Sequence, residues 1–222
     1  MKKLVIVGDS AFAEIAFEYF MHDSEYEPVA FAVEKAFLVK KDLFGLPVVP
    51  LEKLEEDYPS SEYELFVAIT YTLLNTLRER LYSELKSKGY TLASYVSSSA
   101  FVWRNVKVGE NCFIFEDNTV QPFVEIEDNC ILWSGNHIGH HSVIRQNCFI
   151  SSHVCISGFC DIGRNTFIGV NATVANNVNV GDFNWIGPDV TIMKNTTRDE
   201  FWGPVRMAAK DRTASEFFKI KI

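Results

Sequence analysis

The stretch ISGFCDIGRNTFIGVNATV, residues 156–174, repeats one pattern every six residues. Its aliphatic residues lie at positions 156, 162, 168 and 174. The same phase is filled by Val, Ile or Leu at every sixth position from 96 to 192, which makes 17 consecutive matches. An aliphatic residue at every sixth position is typical of a parallel β-helix, so this part of the chain predicts that fold.

Two other phases of the repeat describe its corners. The third residue after the aliphatic one is Asn or Asp in ten hexads, and these residues tolerate the left-handed backbone of a tight corner. The fourth residue is small or medium and includes Cys112, Cys130 and Cys148, which are 18 residues apart. Eighteen residues form one coil of a three-sided prism, so we expect these thiols to stack inside it. The odd number of cysteines and the lack of an export signal predict a reducing cytoplasm.

Up to about residue 90 the pattern alternates between strands and helices. Residues 4–7, 29–33 and 65–69 are typical of buried strands, and residues 12–20 and 74–85 carry helical apolar stripes. This alternation predicts a small parallel sheet covered by helices, a Rossmann-like α/β domain. We expect the α/β domain at residues 1–92, the β-helix at 93–197 and a tail at 198–222.

The charge balance limits the classes of partner. The net charge of −8 argues against nucleic acid, and no apolar run is long enough for a membrane span. From residue 190 onwards, however, the cations outnumber the four acids. This excess predicts either a solvated tail or a local site for an anionic group. The cations are Lys194, Arg198, Arg206, Lys210, Arg212, Lys219 and Lys221.

One outward phase of the repeat is large and apolar in every coil. Because a monomer rarely leaves such a stripe in water, it predicts a homotrimer that associates through this edge. The alternative is that the chain's own C-terminal segment covers the edge, with Phe217 and Phe218 included. The edge consists of Phe113, Ile131, Phe149, Phe167 and Trp185.

Four of the five histidines lie within 17 residues, at positions 137, 140, 141 and 153. Three imidazoles can hold zinc, but ligands from neighbouring coils should be near 18 or 36 residues apart, and these are not. A single imidazole can instead act as a general base near neutral pH. Adjacent residues of a strand point to opposite sides, so His140 and His141 share a pocket only if a corner intervenes.

The segments 136–144 and 156–171 resemble the hexapeptide-repeat sugar acyltransferases. The similarity is strongest to the sialic acid O-acetyltransferase-like branch, which includes the bacillosamine-pathway N-acetyltransferases. The resemblance implies a left-handed β-helix, a cytoplasmic trimer and transfer of an acetyl group from acetyl-CoA to a nucleotide-linked amino sugar. Such a reaction belongs to the biosynthesis of bacterial glycan precursors such as lipopolysaccharide, and it needs no metal.

The resemblance also implies residue roles. His140 is the expected base, modulated by His141, and the backbone N–H of Gly158 is a possible donor to the oxyanion. The cationic tail is expected near the CoA phosphates. The expected acetyl-CoA contacts are Phe149, Gly158, Val170 and Pro188. The expected nucleotide-sugar contacts are Gly8, Asp9, Ser10, Glu34 and Asn136.

Three positions depart from the family pattern. His141 stands where an acidic residue is usual, Phe149 replaces a cofactor-contacting histidine, and the turn after the first strand keeps only Gly8 of a glycine-rich motif. The loss of the other glycines of this motif argues against a dinucleotide cofactor. Three alternatives stay open: a sugar O-acyltransferase, a γ-type carbonic anhydrase-like zinc enzyme and a non-catalytic trimer that binds nucleotide sugars.

Overall fold

A computed structural model describes residues 1–204 and 211–220 of the chain. Its N-terminal part is a five-stranded sheet with helices packed on it. Two short 3₁₀ helices, Lys35–Phe37 and Leu51–Lys53, lie between the regular elements. These elements are β1 (Lys2–Val7), α1 (Ala11–His22), β2 (Tyr26–Val33), β3 (Asp42–Leu43), β4 (Leu46–Pro50), α2 (Leu54–Asp57), β5 (Glu64–Val67) and α3 (Thr76–Ser87).

The strand order of this sheet is β3-β4-β2-β1-β5. All neighbours are parallel except β3 and β4, so the predicted small parallel sheet is confirmed. Helix α3 starts two residues later than predicted, because Leu73, Leu74 and Asn75 adopt left-handed backbone angles. None of the helices in the described part of the chain has the length and apolar character that a bilayer crossing requires.

Residues 95–202 coil into a three-sided prism. Its three parallel sheets are named here after their outward side chains: the covered face, the uncharged face and the charged face. The covered face comprises β6 (Tyr95–Val96), β9 (Phe113–Ile114), β12 (Ile131–Leu132), β15 (Phe149–Ile150), β18 (Phe167–Ile168), β21 (Trp185–Ile186) and β23 (Phe201–Trp202). The uncharged face comprises β7 (Phe101–Val102), β10 (Thr119–Val120), β13 (His137–Ile138), β16 (Cys155–Ile156), β19 (Thr173–Val174) and β22 (Thr191–Ile192). The charged face comprises β8 (Lys107–Val108), β11 (Glu125–Ile126), β14 (Val143–Ile144), β17 (Asp161–Ile162) and β20 (Asn179–Val180). A short helix, α4 (Ala214–Phe218), lies in the tail.

The corners follow the predicted phases. Fourteen consecutive corners, from position 111 to position 189, have a residue with positive φ at the expected place. Asn195 does not, because the regular coil ends after β22. The thiols of Cys112, Cys130 and Cys148 are fully buried inside the prism, as predicted. Burial raises the pKa of Cys112 and of Cys130 well above the usual value for a thiol.

The predicted trimer edge is wrong. Phe113 and Ile131 are fully buried, and Phe149 and Phe167 are at most 9% exposed, within a single chain. The α/β domain lies over this face and packs its own aromatic residues against it, as in the edge-on contact of Phe12 with Phe113 at 5.5 Å. Among the described residues of the C-terminal segment, Phe201 covers the last rung of this face, where it stacks on Trp185 at 4.3 Å. Phe217 and Phe218 stay exposed.

A ladder of asparagine side chains joins the two parts of the chain. Each carboxamide donates to the next one coil further on, at 2.8 to 3.2 Å. The ladder starts at the backbone N–H of Val67, which donates to its first oxygen at 2.7 Å, and ends at Glu79, which accepts from its last amide at 2.9 Å. Since β5 and α3 hold its two ends, it fixes the α/β domain along one corner of the prism. The ladder consists of Asn111, Asn129, Asn147 and Asn165, all buried.

Arg78 strengthens the same interface from α3. Its guanidinium is fully buried, has no carboxylate partner among the described residues and donates instead to carbonyl oxygens of both parts of the chain. Burial lowers the pKa of Arg78 to about 10, so the group stays charged at neutral pH. The acceptors are the carbonyl oxygens of Asn129, Asn147, Cys148, Ile69 and Thr70 and the side-chain oxygen of Asn75.

We expect Arg78→Met to lower the free energy of unfolding by about 3 kcal/mol, because several buried acceptors lose their donor at once. Urea unfolding followed by circular dichroism measures this change. Arg80→Met, two residues further along α3, removes a half-exposed arginine that pairs with Glu34 and Glu84, and should cost less than about 1 kcal/mol. A loss below 1 kcal/mol for Arg78→Met would contradict the structural role.

Candidate active site

A cavity of about 270 Å³ opens at the carboxyl ends of β1 and β2. Four of the five expected nucleotide-sugar residues line it together: Gly8, Asp9, Ser10 and Glu34. Gly8 has a φ of +127°, and a β-carbon there would lie 2.9 Å from the carbonyl oxygen of Ala68. Only glycine therefore fits where the chain leaves β1 beside β5. The remaining walls are mainly aliphatic, which suits the apolar face of a base or ribose.

The polar groups of this cavity are of kinds that can bind phosphate and hydroxyl groups. Ser10 precedes the 12-residue helix α1, whose first N–H groups point away from the helix and can bind phosphate. Glu34 lies at the end of β2, where an acidic residue commonly accepts a ribose hydroxyl. Arg80 holds one of its carboxylate oxygens at 2.9 Å, which leaves the other oxygen available as an acceptor.

His140 lies at the corner between the uncharged and charged faces, which we call the histidine corner. Its side chain is exposed, and its backbone N–H donates to the side-chain oxygen of Gln121 at 2.9 Å. Its Nδ1 lies 3.1 Å from Nδ1 of His141. Within the described residues Nε2 has no hydrogen-bond partner. His140 thus has one engaged and one available nitrogen, the arrangement that a general base requires.

The corner intervenes between the two histidines, so both rings lie on the same side. His141 has a φ of +60°, and this left-handed turn brings its ring back against His140. The ring of His141 is sandwiched between Phe123 at 4.6 Å and Phe159 at 4.9 Å, both in nearly parallel orientation. These two aromatic residues are exposed and lie one coil before and one coil after His141.

Gly158 lies directly beside His140 on the next coil. A β-carbon at this position would be 3.0 Å from Cε1 and 3.1 Å from Nε2 of His140, so the absence of a side chain keeps the imidazole accessible. The backbone N–H of Gly158, however, donates to the side-chain oxygen of Asn176 at 2.8 Å. Because this N–H is already used in that hydrogen bond, it is not free to donate to an oxyanion as expected.

The other expected acetyl-CoA contacts lie at the corner between the covered and uncharged faces, which we call the proline corner. Phe149 and Val170 line a cavity of about 230 Å³ beneath the loop residues Thr70 and Tyr71. Pro188 is exposed one coil beyond Val170. The cavity also offers hydrogen-bonding groups, since Ser151, Ser152 and Trp133 line it. The buried indole N–H of Trp133 has no acceptor among the described residues.

The structure contradicts the expected substrate contact of Asn136. Its side chain is 1% exposed and turns into the prism at the proline corner. The carboxamide oxygen accepts from the N–H of Val154 at 2.8 Å, and the amide donates to the carbonyl oxygen of Trp133. Both of its functional groups therefore stabilise the corner, and neither faces a ligand.

The two remaining histidines of the cluster lie apart from this pair. The ring of His153 packs over Gly135 at the proline corner, and His137 lies on the uncharged face next to Cys155. In residues 1–204 and 211–220, no three His, Cys, Asp or Glu side chains are grouped so that they can hold a metal ion.

The cationic tail is only partly described. Arg198 pairs with Asp182 at 3.5 Å and lies over the ring of Phe183, at the corner between the charged and covered faces. Arg206, Lys210 and Lys221 lie outside the described residues. A role of the tail near the CoA phosphates stays a prediction.

Sequence reasoning missed the aromatic neighbours of His141. Phe123 and Phe159 occupy the left-handed corner phase, where Asn, Asp or Gly is usual, and each is 18 residues from His141. This departure from the repeat could have indicated an aromatic environment around His141. Thr70 and Tyr71 carried no such signal, because a tertiary contact brings their loop to the β-helix.

Comparisons with known proteins agree with this architecture. Residues 105–140 match the family model described as "Bacterial transferase hexapeptide (six repeats)". No curated protein sequence matches the chain. Solved structures do match it, at sequence identities of about one fifth.

The acetyltransferase domain of PglB from Neisseria gonorrhoeae FA1090 is 18% identical, with a TM-score of 0.82 over 92% of this chain and 97% of that chain. PerB from Caulobacter crescentus, solved with CoA and GDP-perosamine, is 21% identical, with a TM-score of 0.81 over 92% of this chain and 95% of that chain. WeeI from Acinetobacter baumannii AYE is 19% identical, with a TM-score of 0.59 over 90% of this chain and 96% of that chain.

These matches cover both the α/β domain and the coiled prism. The predicted fold class, an α/β domain followed by a left-handed β-helix of hexapeptide repeats, is therefore confirmed. At the level of repeat and fold, the expected resemblance to hexapeptide-repeat acyltransferases is confirmed as well.

Proposed function

We propose that the protein is an acetyl-CoA-dependent N-acetyltransferase acting on a nucleotide-linked amino sugar. One observation carries the proposal: a cavity suited to a nucleoside diphosphate and an exposed histidine with an available nitrogen occur in the same chain. The fold is that of PglB's acetyltransferase domain and of PerB, which was solved with CoA and GDP-perosamine.

In the proposed complex the α/β domain holds the nucleotide. The diphosphate lies at the N-terminus of α1 beside Gly8, Asp9 and Ser10, and Glu34 accepts a hydrogen bond from the ribose. Residues 69–71 run from this cavity to the one at the proline corner, because Ile69 lines the first and Thr70 and Tyr71 line the second. The sugar therefore extends towards Val170 and Pro188.

The proposed chemistry is direct attack of the sugar amine on the thioester carbonyl. Nε2 of His140 removes a proton from the amine as the new C–N bond forms. The C–S bond then breaks, and the proton returns to the CoA thiolate. A cysteine nucleophile is not needed, and four of the five thiols are buried. Much of the rate should come from holding both substrates next to each other.

The site is completed between copies of the chain. The proline corner and its cavity lie on one side of the uncharged face, and His140 and Gly158 lie at its other side. The covered face is occupied by the α/β domain, and the charged face carries ion pairs such as Lys107 with Glu125. The uncharged face has no such groups among its outward residues. Its outward residues are Phe101, Thr119, His137, Cys155, Thr173 and Thr191.

We therefore propose a homotrimer that uses the uncharged face in place of the rejected edge. In this arrangement the histidine corner of one copy meets the proline corner of the next. Acetyl-CoA then lies in the groove between them, against Gly158 and the exposed Phe159 of one copy and Val170 and Pro188 of the other.

We expect His140→Ala to reduce kcat by about 100-fold or more, because the reaction loses its general base. Acetyl-CoA binding, measured by calorimetry, should stay within about twofold, since the imidazole is not its main contact. The assay is CoA release with a panel of nucleotide-linked amino sugars. His22→Ala removes an exposed histidine of the α/β domain and should leave kcat unchanged. Wild-type kcat in His140→Ala would remove His140 from the mechanism.

We expect Glu34→Gln to raise KM for the nucleotide sugar by about tenfold, since a charged acceptor of the ribose is replaced by a neutral one. KM for acetyl-CoA should not change. Steady-state kinetics with each substrate varied in turn measures both values. Glu27→Gln alters an exposed carboxylate of β2, the strand that Glu34 follows, and serves as the control. An unchanged KM in Glu34→Gln would argue against nucleotide binding at this cavity.

We expect Thr173→Glu to dissociate the trimer, because it introduces three like charges into the proposed interface. Asn179→Glu makes a similar change six residues later, at the same phase of the repeat but on the charged face, and should leave the trimer intact. Sedimentation velocity separates an assembly of three 25.2 kDa chains from the monomer. A trimeric Thr173→Glu would exclude the uncharged face as the interface.

A further inference from the structure

The contact between His140 and His141 replaces the histidine–carboxylate contact that a general base usually has. Their Nδ1 atoms are 3.1 Å apart, so one ring must donate and the other accept. The two choices differ in their consequence. If His140 donates, its Nε2 is unprotonated and can remove a proton. If His141 donates, the neutral ring of His140 carries its proton on Nε2, and that nitrogen cannot act as a base.

The surroundings of His141 favour a positive charge on its ring. The faces of Phe123 and Phe159 lie on either side of it, with centroids 4.6 and 4.9 Å away, and the π faces of aromatic rings attract cations at such distances. His140 lies perpendicular to Phe159 and has no comparable sandwich among the described residues.

No carboxylate competes for this role in the described part of the chain. The only histidine ion pair found there joins His22 to Glu18, far along the sequence from this corner. The contacts of His141 include the ring of His140, the two phenyl rings and the carbonyl oxygen of Pro122, which accepts its backbone N–H at 3.2 Å. His141 is thus the only proton acceptor in contact with Nδ1 of His140 among these residues.

We propose that His141 is a positioning residue that accepts the Nδ1 proton of His140 and carries the positive charge during the reaction. The inference rests on the proposed function and deepens it. Before the reaction, Nδ1–H of His140 donates to Nδ1 of His141, which leaves Nε2 of His140 facing the substrate amine.

The transfer of protons is balanced. When Nε2 of His140 takes a proton from the attacking amine, the Nδ1 proton of His140 moves to Nδ1 of His141. His140 is then neutral and protonated on Nε2, and His141 is an imidazolium between the two phenyl rings. As the C–S bond breaks, Nε2 gives its proton to the thiolate of CoA, and the Nδ1 proton returns from His141 to His140. Both histidines end in their starting states.

The kinetic test compares two replacements of His141. His141→Phe keeps the aromatic stack but removes the acceptor, and we expect kcat to fall about 100-fold with KM for acetyl-CoA within about twofold of wild type. His141→Glu restores a proton acceptor, and we expect it to retain most of kcat while changing the pH dependence of kcat. His153→Phe replaces another histidine at a left-handed corner (φ +58°) with phenylalanine. It controls for effects of this replacement on stability, which thermal unfolding measures.

The second readout does not depend on activity. In protein labelled with ¹⁵N-histidine, long-range ¹H–¹⁵N spectra distinguish the two neutral tautomers of each ring. We expect His140 to be protonated on Nδ1 in the wild type and to shift towards the Nε2-protonated form in His141→Phe. Wild-type kcat and pH dependence in His141→Phe, or an unchanged His140 tautomer, would overturn the inference. A wild-type protein that acetylates no nucleotide sugar would instead refute the proposed function, and the spectra would still decide the role of His141.

Discussion

The structure depends on the hydrogen bonds that lock the α/β domain against one side of the β-helix. The asparagine ladder runs through four coils and has both of its ends in the α/β domain, at Val67 and Glu79. The buried guanidinium of Arg78 adds donors across the same interface. Because these groups are buried and mutually satisfied, a shift of the domain would break several of them together. The cavity at the carboxyl ends of β1 and β2 is therefore held at a set distance from the corners of the prism.

This locked interface also determines which surface remains for self-association. An aromatic face that is covered by the chain's own domain is unavailable to other copies, and a face of paired charges is already compatible with water. Only the uncharged face, with its two exposed corners, lacks a partner among the described residues. In the proposed trimer the division of the site between two corners is thus a consequence of how the domain packs, and His140 and His141 act on a substrate that a neighbouring copy presents.

The sequence predicted the features that depend on a local period. The hexad phases identified the buried aliphatic stack, the left-handed corners and the interior position of Cys130, since each is set by the geometry of one coil. The turn at Gly8 and the position of Glu34 were predictable because the carboxyl ends of parallel strands meet at one edge. The predictions failed where a distant segment decides the outcome. The apolar repeat phase that contains Phe113 indicates that this face is covered, but not whether another copy or the chain's own domain covers it. The burial of Arg78 has no signal in the local pattern either.

The most direct test of the account is complementation between subunits. His140→Ala and Glu34→Gln chains are co-expressed with different affinity tags, mixed trimers are purified, and CoA release is measured at low nucleotide-sugar concentration. If the site combines His140 of one copy with the nucleotide cavity of the next, each mixed trimer has one intact site among its three interfaces, so its activity should be about a third of wild type and well above either variant alone. Activity of the mixed trimers equal to the mean of the two separate variants would mean that each site lies within a single chain, and would contradict the account.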